Sequence, residues 1–228
     1  VAARTSYRGP EAVSELEFAG RRVSLIHPAD PDRMLDDPSV EAWNRRDDYM
    51  PYWAYLWPGA LLLAEAVARE PWPSLGEGDE PPLALEIGCG VGLAGLVALG
   101  CGLRVCFSDY DPAPLEFAAR NAERNGFDRK RYSTRLLDWR ELPEDTYPLI
   151  LGSDVLYERR LVPLVTRLLG KLLAPGGLGL IGCPGRTSAE GFAREVRTEG
   201  LHCEARPAMR TSDAGEPLKG VLYRVSKG

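Results

Sequence analysis

Two short alternations of apolar and polar residues come first: Leu16 and Phe18 before Ala19-Gly20, then Val23, Leu25 and Ile26 after it. They predict a β-hairpin over residues 14–27. Residues 28–50 are polar and interrupted by Pro28, Pro31 and Pro38, which predicts loop with a short helix near 38–46. Gly59 to Arg69 has the spacing of an amphipathic helix, entered through Trp57-Pro58 and stopped by Pro71. Residues 71–82 are rich in Pro, Gly and acid and mark a boundary. They separate an N-terminal extension (1–70: hairpin, aromatic segment, leading helix) from a core (71–228), the two packed as effectively one domain. Beyond the boundary, apolar runs near 83–87, 103–108, 132–137, 148–153 and 176–182 read as strands. Helical patterns near 91–99, 112–125, 158–173 and 188–199 lie between and after them. Two final strand-like runs, 201–206 and 219–226, have no helix between them and suggest a closing hairpin. The pattern predicts an α/β domain, a doubly wound seven-stranded sheet that is mostly parallel with one antiparallel strand.

The first core strand ends in Leu85-Glu86-Ile87-Gly88-Cys89-Gly90-Val91-Gly92, and an Ala/Leu-rich helix follows at once. Glycines there let the backbone turn sharply and approach a ligand closely. The second strand ends at Ser108-Asp109, where an acid can accept hydrogen bonds from ribose hydroxyls. The dinucleotide fingerprint needs a third glycine where Leu93 stands, and Gly95 is out of register. Glu86 would also be unwelcome beside a pyrophosphate, whereas it suits a cation such as the amino group of S-adenosylmethionine. A glycine-rich turn that binds nothing is the plain alternative.

Composition narrows the setting. In 228 residues, 44% are hydrophobic and 27% charged, ordinary for a globular domain. No apolar run reaches the ~20 residues that span a bilayer, and no secretory signal core opens the chain. A net charge of -5 argues against nucleic acid as the main partner. Five cysteines without a Cys-x-x-Cys pair, and two histidines, suggest neither a metal site nor a disulfide framework. Buried free thiols in a reducing cytoplasm are the expectation.

Four acids fall at successive strand ends: Glu86, Asp109, Asp138 and Asp154. In an open α/β sheet those ends share one ligand-binding edge. Asp109 is the ribose candidate, with Asp111 better placed to cap the following helix. Asp138-Trp139 could bind and cover an adenine, and Glu86 could meet a methionine amino group. Asp154-Val155-Leu156-Tyr157 bears on the reaction. If that turn is helical, its i, i+3 spacing puts Asp154 and Tyr157 on one face, where carboxylate and phenol can hold a nitrogen nucleophile. A capping Asp beside a packing Tyr is the alternative. The aromatic run Met50 to Gly59 reads either as a staple or as a lid that attracts cations. Arg159-Arg160 reads as a solvated face.

The turn from Glu86 to Gly92, Asp109, Asp138-Trp139, Trp57-Pro58-Gly59 and Asp154-x-x-Tyr157 together resemble the protein-lysine branch of the seven-strand S-adenosylmethionine-dependent methyltransferases, a Rossmann-like family. The likeness covers about residues 25–226. Pro51-Tyr52-Trp53-Ala54 and Pro184-Gly185-Arg186 are similar to the methyltransferases of the electron-transfer-flavoprotein β-subunit, with Cys183 standing where an acid often precedes Pro-Gly-Arg. The resemblance implies a cofactor site of Trp57, Glu86, Gly88, Gly90, Asp109 and Asp138, with Cys89, Gly92, Tyr110, Trp139 and Ser153 beside them. It implies that Asp154 and Tyr157 meet the target amine and that a protein presenting a lysine is the partner. A small-molecule acceptor such as a nicotinamide-like amine, and a non-catalytic binding module, remain open.

Overall fold

The computed structural model describes residues 7–72, 80–211 and 215–228. Part of the 71–82 boundary therefore lies outside the described residues. The hairpin pairs β1 (Glu11–Phe18) with β2 (Arg21–Pro28). Its two-residue turn, Ala19-Gly20, has positive φ at both positions, as the twist of a tight hairpin requires. It is tied to the core by buried Asn121, which accepts from Ile26 N (2.7 Å) and donates to the carbonyls of Ile26 and Val91 (both 2.9 Å).

Helix α1 (Pro38–Asp47) starts at Asp37, whose side chain accepts from Ser39 N, an N-cap. A 3-10 turn at Tyr52–Ala54 then leads into α2 (Pro58–Arg69), with proline at its first position as expected for a helix start. The core follows as β3 (Leu83–Ile87), α3 (Leu93–Gly100), β4 (Arg104–Asp109), α4 (Pro112–Arg124), β5 (Tyr132–Leu136), β6 (Tyr147–Ser153), α5 (Val162–Leu172), β7 (Leu173–Cys183), α6 (Phe192–Thr198), β8 (His202–Thr211) and β9 (Pro217–Ser226). The core strands form a 7-stranded sheet in the order β5-β4-β3-β6-β7-β9-β8. Strands β3 to β7 run parallel, and β9 is antiparallel to both β7 and β8. One strand thus opposes the rest, as the sequence pattern predicts.

Side-chain alternation sorts the sheet into two cores. Leu85 and Ile87 of β3 face one core, with Ile150, Leu168, Leu169 and Phe192. Ala84 faces the other, with Leu63, Leu96, Phe107 and Phe117. The strand order reverses between β3 and β6, and the crevice outside their carboxyl ends is where such sheets take ligands.

Two expected helices start late, with α6 beginning at Phe192 rather than 188. Helix α5 starts at Val162 rather than 158, after a 3-10 turn at Arg159–Leu161. Proline is comfortable only in the first turn of a helix, and Pro163 sits there. Asp154 to Glu158 are therefore turn, not helix.

Candidate active site

A cavity of about 710 Å³ opens at the carboxyl ends of β3, β4 and β6. All the residues selected from the sequence line it except Glu86 and Gly92. Trp57 stands on the aromatic segment; Gly88, Cys89 and Gly90 form the turn after β3. Asp109 and Tyr110 close β4, Asp138 and Trp139 follow β5, and Ser153, Asp154 and Tyr157 follow β6.

The turn after β3 has φ of +57° at Gly88 and +52° at Gly90, a region that favours glycine. A Cβ at Gly90 would stand 3.3 Å from the Trp53 carbonyl, and one at Gly88 would stand 3.3 Å from Trp139. The turn is thus bare backbone facing the cavity. Asp109 is nearly buried and accepts from Gly90 N (3.1 Å) and Asp111 N (3.2 Å). Burial raises its carboxyl to about 7 against the pull of those amides. Asp111 caps α4 through Ala113 N, as the sequence suggests, and also accepts from the Tyr49 hydroxyl. Trp53 Nε1 donates to that hydroxyl, so the aromatic segment is anchored to the end of β4.

Two of the expected residues stand off the cavity wall. Glu86 does not reach the cavity. It shares the face of Ala84, so period two turns it beneath α3, where Oε2 accepts from Gly95 N at 3.0 Å. It is 1% exposed, and desolvation pushes its carboxyl up to about 8. The glycine that was out of register for a dinucleotide leaves room for this acid: a Cβ at Gly95 would stand 2.5 Å from Glu86 Oε2. Gly92 likewise lies behind the wall, capping α3, where a Cβ would meet Ala118 Cβ at 2.9 Å.

At the end of β6, Asp154 takes a left-handed φ of 53° and is 7% exposed. Its Oδ2 accepts from Gly59 N at the start of α2 (2.6 Å) and its Oδ1 from Arg186 (3.1 Å). Desolvation raises its carboxyl, and the Arg186 guanidinium and the Gly59 amide oppose that rise. Val155 and Leu156 are buried while Tyr157 is 37% exposed, so a non-helical turn still puts Asp154 and Tyr157 on the cavity wall. Burial and nearby acids push the Tyr157 hydroxyl to about 12. Tyr52 meets Tyr157 and Trp57 edge-on, with ring centroids 5.3 and 6.0 Å apart. In the aromatic run, Trp53 and Ala54 pack in the core, and Tyr52, Tyr55 and Trp57 line the cavity.

Three arginines were not selected from the sequence. Arg186 packs over the Trp57 ring at 5.3 Å. Its position at the carboxyl end of β7, the edge that carries the acids, was the available signal. Arg140 donates to Asp47 (2.8 Å), Asp138 (2.7 Å) and the Tyr110 hydroxyl (2.7 Å), linking α1 to β4 and β5 across the mouth. Arg160 is exposed at the cavity rim, where it bonds Asp48 and Glu158. The pairs Arg186–Asp154, Arg140–Asp47 and Arg160–Asp48 join residues 32, 93 and 112 positions apart, which single-sequence reading does not detect.

The lysine methyltransferase family model matches residues 39–194. The chain is 30% identical over 153 residues to protein N-lysine methyltransferase METTL21A of Danio rerio, covering 64% of this chain and 70% of that protein. It is 32% identical over 119 residues to histone-arginine methyltransferase METTL23 of Rattus norvegicus, covering 48% and 49%. It thus spans about half the length of the rat protein. Among solved structures, P. horikoshii TYW2 in complex with MeSAdo aligns with TM-score 0.56 at 18% identity, covering 96% of this chain and 74% of that one. A TehB-like methyltransferase from Corynebacterium glutamicum aligns with TM-score 0.52 at 17% identity, covering 84% and 100%. The chain belongs to the lysine methyltransferase family and is an S-adenosylmethionine-dependent methyltransferase.

Proposed function

We propose that the chain methylates the ε-amine of a lysine presented by a protein, and that Asp154 and Tyr157 receive that amine. The observation that carries this reading is their shared position on the cavity wall within the aromatic frame of Tyr52 and Trp57. The residues present suit the cofactor. A nearly buried carboxylate, Asp109, is aimed at a turn of bare backbone, and Trp139 stands at its edge. Gly88, Gly90 and Asp109 would hold the nucleoside, Asp138 and Trp139 the adenine, and Cys89, Tyr110, Ser153 and Trp57 the remaining walls.

S-adenosylmethionine supplies a methyl group already activated on a sulfonium. The chain's own task is then mostly alignment, which can supply ~7–11 kcal/mol. A lysine at pKa ~10.4 is mostly protonated at neutral pH and must lose a proton to become a nucleophile. Asp154 already accepts from Gly59 N and Arg186. Its remaining lone pairs can orient amine hydrogens, which makes it a clamp rather than a strong base.

An arginine acceptor is the second reading, supported by the likeness to histone-arginine methyltransferases. Incubating the protein with radiolabelled cofactor and a cell lysate, followed by mass spectrometry, separates the readings. Label on protein lysine is expected. Label confined to arginine or to small metabolites overturns the lysine reading. Asp154→Ala is expected to abolish transfer while leaving cofactor affinity, read by calorimetry, within a few fold. Undiminished transfer would remove the role given to Asp154.

A further inference from the structure

Asp154 shares its site with a fixed cation. Nε and Nη2 of Arg186 both lie 3.1 Å from Asp154 Oδ1, and its guanidinium packs over the Trp57 ring. Trp57 is itself held by its Nε1, which donates to the Tyr52 carbonyl at 2.7 Å. The guanidinium is thus held on one side by the carboxylate that would meet the acceptor and on the other by an aromatic wall of the same cavity.

This bears on the charge of the acceptor. An unpaired carboxylate binds an amine best as its ammonium and raises its pKa. An ammonium has no lone pair to give to a methyl carbon. A guanidinium never loses its charge in proteins. The Asp154–Arg186 pair is therefore close to neutral overall, yet Asp154 keeps lone pairs for amine hydrogens. The other charges nearby do not replace it. Glu158 is bonded to Arg160, the Tyr157 hydroxyl holds its proton, and Asp109 interacts with Tyr157 from the end of β4. Tyr55, beside Trp57, donates to Asp32. Helix α2 offers only the Gly59 amide.

Resting on the lysine reading above, we infer that Arg186 is a specificity-determining residue. By pairing with Asp154 against Trp57, it makes the acceptor site select the neutral amine over the ammonium.

The test uses n-butylamine as a probe of the acceptor site. It is titrated into the protein saturated with S-adenosylhomocysteine between pH 8 and 11, followed by the NMR signals of the tryptophan indole N–H groups. Wild type is expected to bind more tightly as pH rises, by roughly tenfold per unit below the amine's own pKa of ~10.4. Arg186→Met is expected to lose that rise and to bind more weakly above the same pKa. Arg186→Lys, which keeps the charge, is expected to restore the rise. S-adenosylhomocysteine affinity serves as the control for folding of each variant. An affinity in wild type that is flat below the amine pKa, a rise retained in Arg186→Met, or no binding to wild type at any pH each overturns the inference. The lysate experiment judges the lysine reading separately. Methylated lysines with ammonium-preferring binding would defeat only this inference, and label confined to other acceptors would defeat the reading beneath it.

Discussion

The ends of β3 and β6 present the same local chemistry with different outcomes. Each carries a buried acid that accepts an amide at the start of a helix: Glu86 from Gly95 of α3, and Asp154 from Gly59 of α2. Glu86 sits within its strand, on the face that packs against α3, and burial pushes its carboxyl to about 8. Asp154 lies just past its strand, turned by a left-handed φ, and is bonded by Arg186. Of these two acids, the one on the cavity wall is the one that the backbone turns out of the sheet and a distant cation holds; the other packs beneath α3.

The largest expected effect comes from crowding the β6 end. A Cβ at Gly59 would fall well inside contact with Asp154 Oδ2 and stand 2.7 Å from its Cγ. Gly59→Ala should cost methyl transfer about 100-fold, since small misplacements of a positioned group have costs of that order. Helix propensity alone would make this substitution favourable, so unchanged activity in the radiolabel assay would show that the Gly59–Asp154 contact is dispensable.

The matching substitution at the β3 end is Gly95→Ala, which drives a methyl into Glu86 and Phe107. Overpacking of this kind costs about 1–3 kcal/mol. Urea unfolding should show that loss, with methyl transfer per folded molecule largely kept. A specific loss of turnover would return Glu86 to the active site.

Between these two ends lies Asp109, with its carboxyl at about 7. Its ionised form is the better acceptor for ribose hydroxyls. Cofactor affinity should therefore weaken as pH falls through 7, approaching tenfold per unit. Asp109→Asn should remove that dependence and bind about tenfold more weakly at pH 8, the scale of one charge-assisted hydrogen bond. Calorimetry at several pH values checks both.

Glu86→Gln removes a titration rather than a contact. A folded-state pKa near 8, above the unfolded value, gives stability that is full below the unfolded pKa and lost as pH rises through 8. The slope is at most about 1.4 kcal/mol per pH unit. Unfolding at pH 5.5 and 8.5 should show wild type weakening and Glu86→Gln nearly level. Equal slopes would mean that Glu86 is ionised throughout.

Much of the fold was legible in the sequence because it rests on local rules. Short apolar runs and glycine turns located every core strand and the antiparallel closing pair, and Asp111 marked the start of α4. The legible part of the site had the same origin. Strand ends share an edge, so Asp109, Asp138 and Asp154 could be assigned to one crevice from spacing alone. Packing decided the rest. Of the loop or helical turn that the spacing allowed for Asp154 and Tyr157, the structure has the turn, because Val155 and Leu156 are buried and Pro163 delays α5. Glu86 was assigned by its place in a motif, and packing turns it beneath α3, on the face that the alternation Ala84, Leu85, Glu86 sets.

The sequence by itself determined the sheet, the bare glycine turn and the identity of the acids, since these depend on neighbours a few residues apart. Only the tertiary structure decided how each acid is used. It placed Arg186, 32 residues beyond Asp154, against that carboxylate and against Trp57 from the leading segment. It also closed the mouth with Arg140 on Asp47, 93 residues away. A carboxylate's charge and reach follow from the cation, amide and solvent around it, and those come from chain segments that meet only after folding.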